Sequence, residues 1–131
     1  MAKYFESPLQ KKLGIADCDN VALLHAPGDF DIALLGNVTL RRSATGSTKV
    51  TIAFFGLASR LERQAKSLSQ RIEKSAALWI AWPKTNSGVS SDITDHLVRE
   101  LLLPFGLVDN KVCAIDDTWT ALRFVWRKEN R

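Results

Sequence analysis

The sequence predicts a three-layer α/β sandwich whose sheet is mostly parallel and ends in an antiparallel C-terminal hairpin. Segments of helical periodicity alternate with β-rich segments along the 131 residues, which is typical of parallel strands joined by helical crossovers. The strand candidates are near-continuously apolar instead of alternating with polar residues, which indicates a sheet covered on both faces. Two β-rich segments around a short polar stretch end the sequence, and this pattern indicates a hairpin.

The length and composition are those of one globular domain, residues 1–131. A hydrophobic content of 46% excludes a disordered chain, and seven glycines and four prolines exclude collagen-like structure. No apolar run reaches the roughly 18 residues that would span a bilayer, so we expect no membrane insertion. Residues 1–6 have no apolar stretch long enough for a signal peptide, and we therefore expect a cytoplasmic protein.

The first half of the sequence predicts a short helical turn, three strands and one short helix. Ser7 can cap the turn, Pro8 suits its first position and Gly14 ends it. The elements that follow are a strand at 21–25, a helix at 30–35, and strands at 38–42 and 49–55. Residues 43–48 are too few for a crossover helix. The second and third strands therefore pair antiparallel or are joined by a bare loop beneath the sheet.

The second half predicts two helices, one strand and the hairpin. Ser59 and Glu62 have the spacing of a capping box. They open an amphipathic helix with apolar residues at helical spacing, namely Leu61, Ala65, Leu68 and Ile72. An apolar strand follows at 76–82, then a helix from about 91 to 103, and the hairpin strands at 111–115 and 121–127. Together these elements make a Rossmann-like sheet of five to six strands.

Charge and cysteine placement exclude two classes of site. The net charge of +4 is mild, and the main basic cluster, at 60–74, lies on the polar face of a predicted helix. Nucleic-acid binders show a denser basic stripe interleaved with exposed aromatic residues, so the sequence argues against a nucleic-acid partner. Cys18 and Cys113 fit no metal-ligand or redox spacing, and we expect no metal site.

Ligands of open α/β sheets bind outside the carboxyl ends of the strands. His25 ends the first strand, where it could act as an acid or base or simply close the strand. Gly28 lies in a Pro-Gly-Asp turn that could hold a phosphate before a helix or be an ordinary tight turn. Arg41 and Arg42 end the second strand, where they could contact a phosphate or protect a sheet edge.

The polar loop at 82–92 joins a predicted strand to a predicted helix and is the strongest candidate site. Ser90 or Ser91 is expected to cap the helix, whose free N–H groups favour anions. The residues expected to contact a ligand here are Trp82, Lys84, Asn86, Ser87 and Gly88. We expect any ligand to be small and anionic and to lie against this loop beside residues 25–28. Asp92 could instead neutralise the helix end.

The order of elements resembles the sheet of S-adenosylmethionine-dependent methyltransferases. Residues 76–82 (Ala-Ala-Leu-Trp-Ile-Ala-Trp) are similar to the fifth strand of that family, and residues 111–127 to its last two strands. The family binds its cofactor with an acidic, Gly-rich loop after the first strand and an acidic residue ending the second. This sequence has His25-Ala-Pro-Gly28 and Arg41-Arg42 there, so no cofactor residues are carried over. The helix and strand that the family places before Lys49 are also missing.

Nearly the whole chain also resembles a family of short bacterial proteins of unknown function. The matching stretches are residues 7–15, 82–84, 87–89, 91–94, 106–109 and 111–119. This resemblance implies a bacterial cytoplasmic protein and supplies no activity.

Common hydrolase and nucleotide-hydrolase motifs are missing from the sequence, which has no G-x-S-x-G, H-E-x-x-H or Walker pattern. The sequence therefore favours a non-catalytic small-ligand-binding or interaction module on a methyltransferase-like scaffold. The alternative is a small enzyme, or a protein that binds S-adenosylmethionine or a nucleotide through residues 82–92. The ligand, any cofactor and the oligomeric state stay open.

Overall fold

The computed structural model describes residues 8–42 and 48–131. These residues form three helices, and 3-10 turns cover Ile32–Leu35, Leu103–Phe105 and Lys128–Asn130. The helices are α1 (Pro8–Leu13), α2 (Ala58–Gln70) and α3 (Asp95–Leu102). The strands are β1 (Asn20–Leu24), β2 (Thr39–Arg41), β3 (Val50–Phe54), β4 (Ala77–Pro83), β5 (Leu107–Ala114) and β6 (Trp119–Trp126). The predicted cap at Ser7 lies outside the described residues.

The described strands form one six-stranded sheet in the order β2-β1-β3-β4-β6-β5. The first four strands are mutually parallel, whereas β6 runs antiparallel to both β4 and β5. This arrangement confirms the predicted mostly parallel sheet with a C-terminal hairpin. The antiparallel pairing considered for the second and third strands is wrong, because β2 and β3 lie on opposite sides of β1. Residues 43–47 of the connection lie outside the described residues.

Two apolar clusters cover the two faces of the sheet and make the fold three-layered. On one face, α2 and α3 bury Leu61, Leu68 and Val98 against β3, β4 and β6. On the other face, α1 and the Ile32–Leu35 turn bury Leu13 and Leu35 against the same strands. Every residue of β3 and β4 is buried, which explains their unbroken apolar sequence. No helix of the described residues is both long and apolar enough to cross a membrane.

The start of α2 differs from the capping box predicted at Ser59. The helix begins one residue earlier, at Ala58, and the preceding Leu57 offers no side-chain acceptor. The Asp92 carboxylate accepts the Ala58 N–H bond instead, at 2.7 Å. The capping-box prediction was wrong because the acceptor comes from a distant loop, which local spacing does not reveal.

The start of α3 also differs from prediction. The helix begins at Asp95, and the Thr94 hydroxyl accepts the Leu97 N–H bond at 3.2 Å. Ser91, predicted as a cap, donates to the Gly56 carbonyl at 2.9 Å and accepts from the Ile93 N–H. Residues 91–93 are therefore not the first turn of a helix. They precede α3 in the chain and are hydrogen-bonded to Gly56, just before α2.

Candidate functional site

The chain adds strands on both sides of β1, because β2 lies on one side of it and β3 on the other. The point beside β1 where the strand order reverses is the topological switch point. Ligands of open α/β sheets bind at the carboxyl edge beside such a switch point. His25 follows β1 and Phe55 follows β3 at this edge. Their rings pack with centroids 5.5 Å apart and planes inclined by 60°. The predicted placement of His25 at the carboxyl edge is therefore confirmed.

His25 is held in an unusual backbone conformation. Its φ angle of 58° lies in the left-handed region, which a non-glycine residue adopts at an energetic cost. Residues in such conformations are found more often at functional sites. The imidazole Nε2 lies 2.9 Å from Gln64 Oε1 on α2. The contacts with Gln64 and Phe55 together fix the ring over the end of the sheet.

A cleft of about 250 Å³ lies between the end of β1 and the polar side of α2. We call it the His25 cleft. Leu24 and Leu68 form its apolar part, and its polar lining consists of His25, Arg42, Gln64, Ser67 and Arg71. The α2 residues lie three to four positions apart, so they share one helix face. Among residues 8–42 and 48–131, the lining holds two guanidinium groups and an imidazole but no carboxylate.

Gly28 lies on the other side of the β1 end, in a smaller concavity of about 190 Å³. The Phe30 N–H donates to the Pro27 carbonyl at 3.0 Å, which makes residues 27–30 a tight turn. The four-residue 3-10 turn that follows is capped by Asp31, whose carboxylate accepts from the Ala33 N–H at 3.1 Å. This geometry favours the ordinary-turn interpretation of Gly28. Arg42 lines both this concavity and the His25 cleft.

The loop that contains Lys84, Asn86, Ser87 and Gly88 is held by hydrogen bonds of the Lys84 backbone and of Ser87. The Lys84 N–H donates to the Thr118 carbonyl at 2.7 Å. The Lys84 carbonyl accepts bonds from the Ser87 hydroxyl at 2.7 Å and the Ser87 N–H at 3.1 Å. The Ser87 hydroxyl also accepts from the Val89 N–H. Gly88 has a φ angle of 85°, so its role in the loop is conformational.

Trp82 lines a separate concavity of about 310 Å³ between β4, α3 and the hairpin. Asp95 lies in this concavity, and its pKa is held below its ordinary value by the Arg99 guanidinium and by the His96 N–H. Thr94 and Asp95 already occupy the start of α3, which weakens the electrostatic argument for an anion here. His25 and Trp82 thus line two different concavities.

Gln64, Ser67 and Arg71 were missed as site residues because they were interpreted as a solvated helix face. One signal for them existed in the sequence. They lie at helical spacing beside the apolar stripe of α2, and two of them, Gln64 and Ser67, are neutral polar residues among charged ones. The strand order, which places this face beside β1, could not be obtained from local patterns.

Comparisons with known proteins show the fold and no family. No family model matches the chain, and no curated protein matches it. A structure of a LepI variant with S-adenosylhomocysteine and a substrate analogue has a TM-score of 0.52 at 14% identity, over 92% of this chain and 47% of LepI. LepI with S-adenosylmethionine gives 0.51 at 13% identity, over 97% and 50%. The chain thus spans about half of LepI, and it has a methyltransferase-like α/β fold.

Proposed function

We propose that this protein is a non-catalytic module that binds a small anionic ligand in the His25 cleft. The observation that carries the proposal is the charge of the lining. Arg42 and Arg71 face the cleft with His25, and no carboxylate lines it. Guanidinium groups present several N–H donors in a planar fork that matches phosphate and carboxylate oxygens.

The size and position of the cleft support a small ligand. A volume of about 250 Å³ is just below the roughly 300–1,000 Å³ of typical small-molecule sites, so a single anionic group with little attached would fit. Gln64 and Ser67 supply a neutral amide and hydroxyl beside the charges. The cleft also lies at the switch point, where ligands of such sheets bind.

The proposed site contains His25, as the sequence predicts, but its other polar residues come from α2 and Arg42 and not from the loop at 82–88. Trp82 and Lys84 lie at the end of β4, and β3 separates that strand from β1 and His25. The Ser87 hydroxyl is engaged within its own loop. Gly28 lies in the neighbouring concavity, which shares Arg42 with the His25 cleft.

A second candidate is a protein that binds S-adenosylmethionine or a nucleotide. One observation favours it, namely that the LepI structures similar in fold hold S-adenosylmethionine or S-adenosylhomocysteine. Arg41 and Arg42 argue against S-adenosylmethionine, because its ribose hydroxyls would meet arginines where dinucleotide-binding sheets present an acidic residue. A phosphate-bearing nucleotide suits these arginines better than a positively charged sulfonium compound.

Calorimetric titration tests both candidates with three probes: inorganic phosphate, adenosine monophosphate and S-adenosylmethionine. We expect inorganic phosphate to bind more tightly than adenosine monophosphate, whereas the reverse order would favour the second candidate. Arg71→Ala should weaken phosphate binding at least tenfold, about 1.4 kcal/mol. Arg63→Ala is the matched control, because it removes one charge from the same helix outside the cleft. Equal losses in the two variants would refute the site. Binding of S-adenosylmethionine alone would establish the second candidate.

The setting of the protein is also part of the proposal. The resemblance of residues 7–15, 82–84, 87–89, 91–94, 106–109 and 111–119 to short bacterial proteins supports a bacterial cytoplasmic protein. Fractionation of bacterial cells that express the full chain with a tag tests this location. Recovery in the periplasmic or membrane fraction would contradict it.

A further inference from the structure

A second charged cavity lies at the amino edge of the parallel strands, opposite the His25 cleft. We call it the Arg123 cavity. It measures about 380 Å³, and its lining consists of Lys74, Ser75, Ala76, Asn110, Arg123, Val125 and Arg131. The seven residues of β4 run from one edge of the sheet to the other. At about 3.3 Å per residue, the two edges of the sheet are roughly 20 Å apart. The two cavities have no lining residue in common, although Arg71 of the one and Lys74 of the other lie three positions apart in the chain.

Arg123 is the charged residue within β6, an inner strand of the sheet. It lies opposite Trp79 of β4 and Lys111 of β5. Its Nε atom is buried and has no hydrogen-bond partner among the described residues. The guanidinium makes one long bond, 3.4 Å from Nη1 to Asn110 Oδ1. A buried donor left unsatisfied costs stability, and such groups are usually paired with a water or ligand.

The other two charges of the cavity are held in place by Trp126. Lys74 Nζ lies 4.0 Å from the centroid of the Trp126 ring, within range of a cation–π interaction. Arg131 Nε donates to the Trp126 carbonyl at 2.7 Å. Within the described residues, none of the three cations has a carboxylate within 4 Å, and the nearest acids in sequence, Glu73 and Glu129, do not line the cavity.

A bulge in β5 places Asn110 at this cavity. The register passes from Asp109 opposite Phe124 to Lys111 opposite Arg123, so Asn110 is the extra residue. Bulges are enriched beside functional sites, where they redirect a side chain. Here the extra residue presents an amide, and Ser75 adds a hydroxyl across the cavity.

We propose that the Arg123 cavity binds the phosphate group of a small phosphorylated molecule. Phosphate oxygens would satisfy the Nε donor and complete the guanidinium fork. Lys74 and Arg131 would balance the remaining charge, while Ser75 and Asn110 would bond to oxygens of the phosphate or of the group it carries. The volume is within the range of small-molecule sites, so the ligand can be larger than free phosphate.

Nitrogen-15 NMR tests the proposal on the full chain, because arginine Nε–H groups give their own signals. The titrants are inorganic phosphate and ribose 5-phosphate, each against sodium chloride at equal ionic strength. We expect saturable shifts of the Arg123 Nε–H and the Asn110 side-chain amide with a phosphate titrant and not with chloride. Tighter binding of the sugar phosphate would identify the ligand as a phosphate ester, and tighter binding of free phosphate would identify the ion.

Variants separate a built site from general charge. Arg123→Gln should weaken binding at least tenfold, whereas Arg127→Gln, which removes the same charge outside the cavity, should not. Lys74→Gln provides a second test if Arg123→Gln does not fold, with Lys128→Gln as its control. Arg71→Ala, in the His25 cleft, should leave the Arg123 shifts unchanged. Non-saturating shifts, equal losses in a variant and its control, or binding of an oligonucleotide alone would overturn the proposal.

Discussion

The Asp92 carboxylate caps α2 across 34 residues of sequence, through its 2.7 Å hydrogen bond from the Ala58 N–H. The adjacent Ser91 hydroxyl donates to the Gly56 carbonyl at 2.9 Å. These two bonds attach the link before α3 to the segment between β3 and α2. The first turn of one helix and the approach to the next are therefore stabilised by the same pair of residues.

Asp92→Ala should destabilise the protein by about 1 kcal/mol. The variant loses an N-terminal hydrogen bond and a negative charge at the positive end of α2. Urea denaturation measures the loss. Asp29→Ala, at an exposed turn residue, is the control and should stay within about 0.5 kcal/mol of the parent. If both variants are equally stable, Asp92 does not cap α2.

Gly36→Ala should destabilise the protein more than Gly14→Ala. Both glycines have positive φ angles, 81° and 75°, so an alanine is strained at either position, by roughly 1–2 kcal/mol in the left-handed helical region. Gly36 combines its φ with a ψ of −157°, a conformation that is essentially restricted to glycine. A Cβ atom at Gly36 would also overlap the buried Gln10 side chain, whereas at Gly14 it would meet nothing within 4 Å. We expect the overlap to add about 1–3 kcal/mol. Equal melting temperatures for the two variants would contradict the close approach at Gly36.

The Asp95–Arg99 pair should make stability depend on pH. The hydrogen bond from Arg99, with that from the His96 N–H, holds the pKa of Asp95 below its ordinary value. The folded state therefore favours the carboxylate, and this contribution is complete above the unfolded pKa of about 3.9. It is lost as the pH falls through the lower, folded pKa.

Asp95→Asn should accordingly lose stability at pH 7 and approach the parent protein near pH 2. Denaturation curves across this range measure the difference. Arg99→Gln removes the main cause of the lowered pKa and should show the same trend, together with the loss of the 2.9 Å contact between Arg99 and Asp109. A difference between Asp95→Asn and the parent that does not change with pH would exclude this linkage.

The two cysteines should differ in reactivity. Cys18 is exposed and Cys113 is buried. Burial raises the pKa of the Cys113 thiol, so less of the reactive thiolate forms. A disulfide reagent should therefore modify one thiol rapidly in the native protein and both in urea. Cys18→Ser should abolish the rapid phase, and a rapid phase that persists would show that Cys113 is accessible.

The elements that the sequence predicts well are those with strong local patterns. The apolar runs of β3 and β4 and the helical spacing of Leu61, Ala65 and Leu68 are properties of neighbouring residues. The starts of α2 and α3 were less predictable. Asp92 supplies a cap from another part of the chain, while Ser59 has the spacing of a cap without the position of one.

The candidate site was predictable only in part, because three elements build it. His25 could be placed at the carboxyl edge from its position after an apolar strand. Arg71 reaches the same cleft only because α2 packs over β1, and that depends on β1 lying between β2 and β3. The order of strands is a property of the whole fold, and spacing within one segment does not determine it.

During synthesis on a ribosome, β4 leaves the exit tunnel before β6, the strand that covers one of its edges. Until β6 emerges, β4 presents unpaired N–H and C=O groups on a wholly apolar segment. Such an edge recruits strands of other chains. We therefore expect the nascent protein to depend on holding chaperones for solubility during this interval, although the finished sheet pairs β4 on both sides.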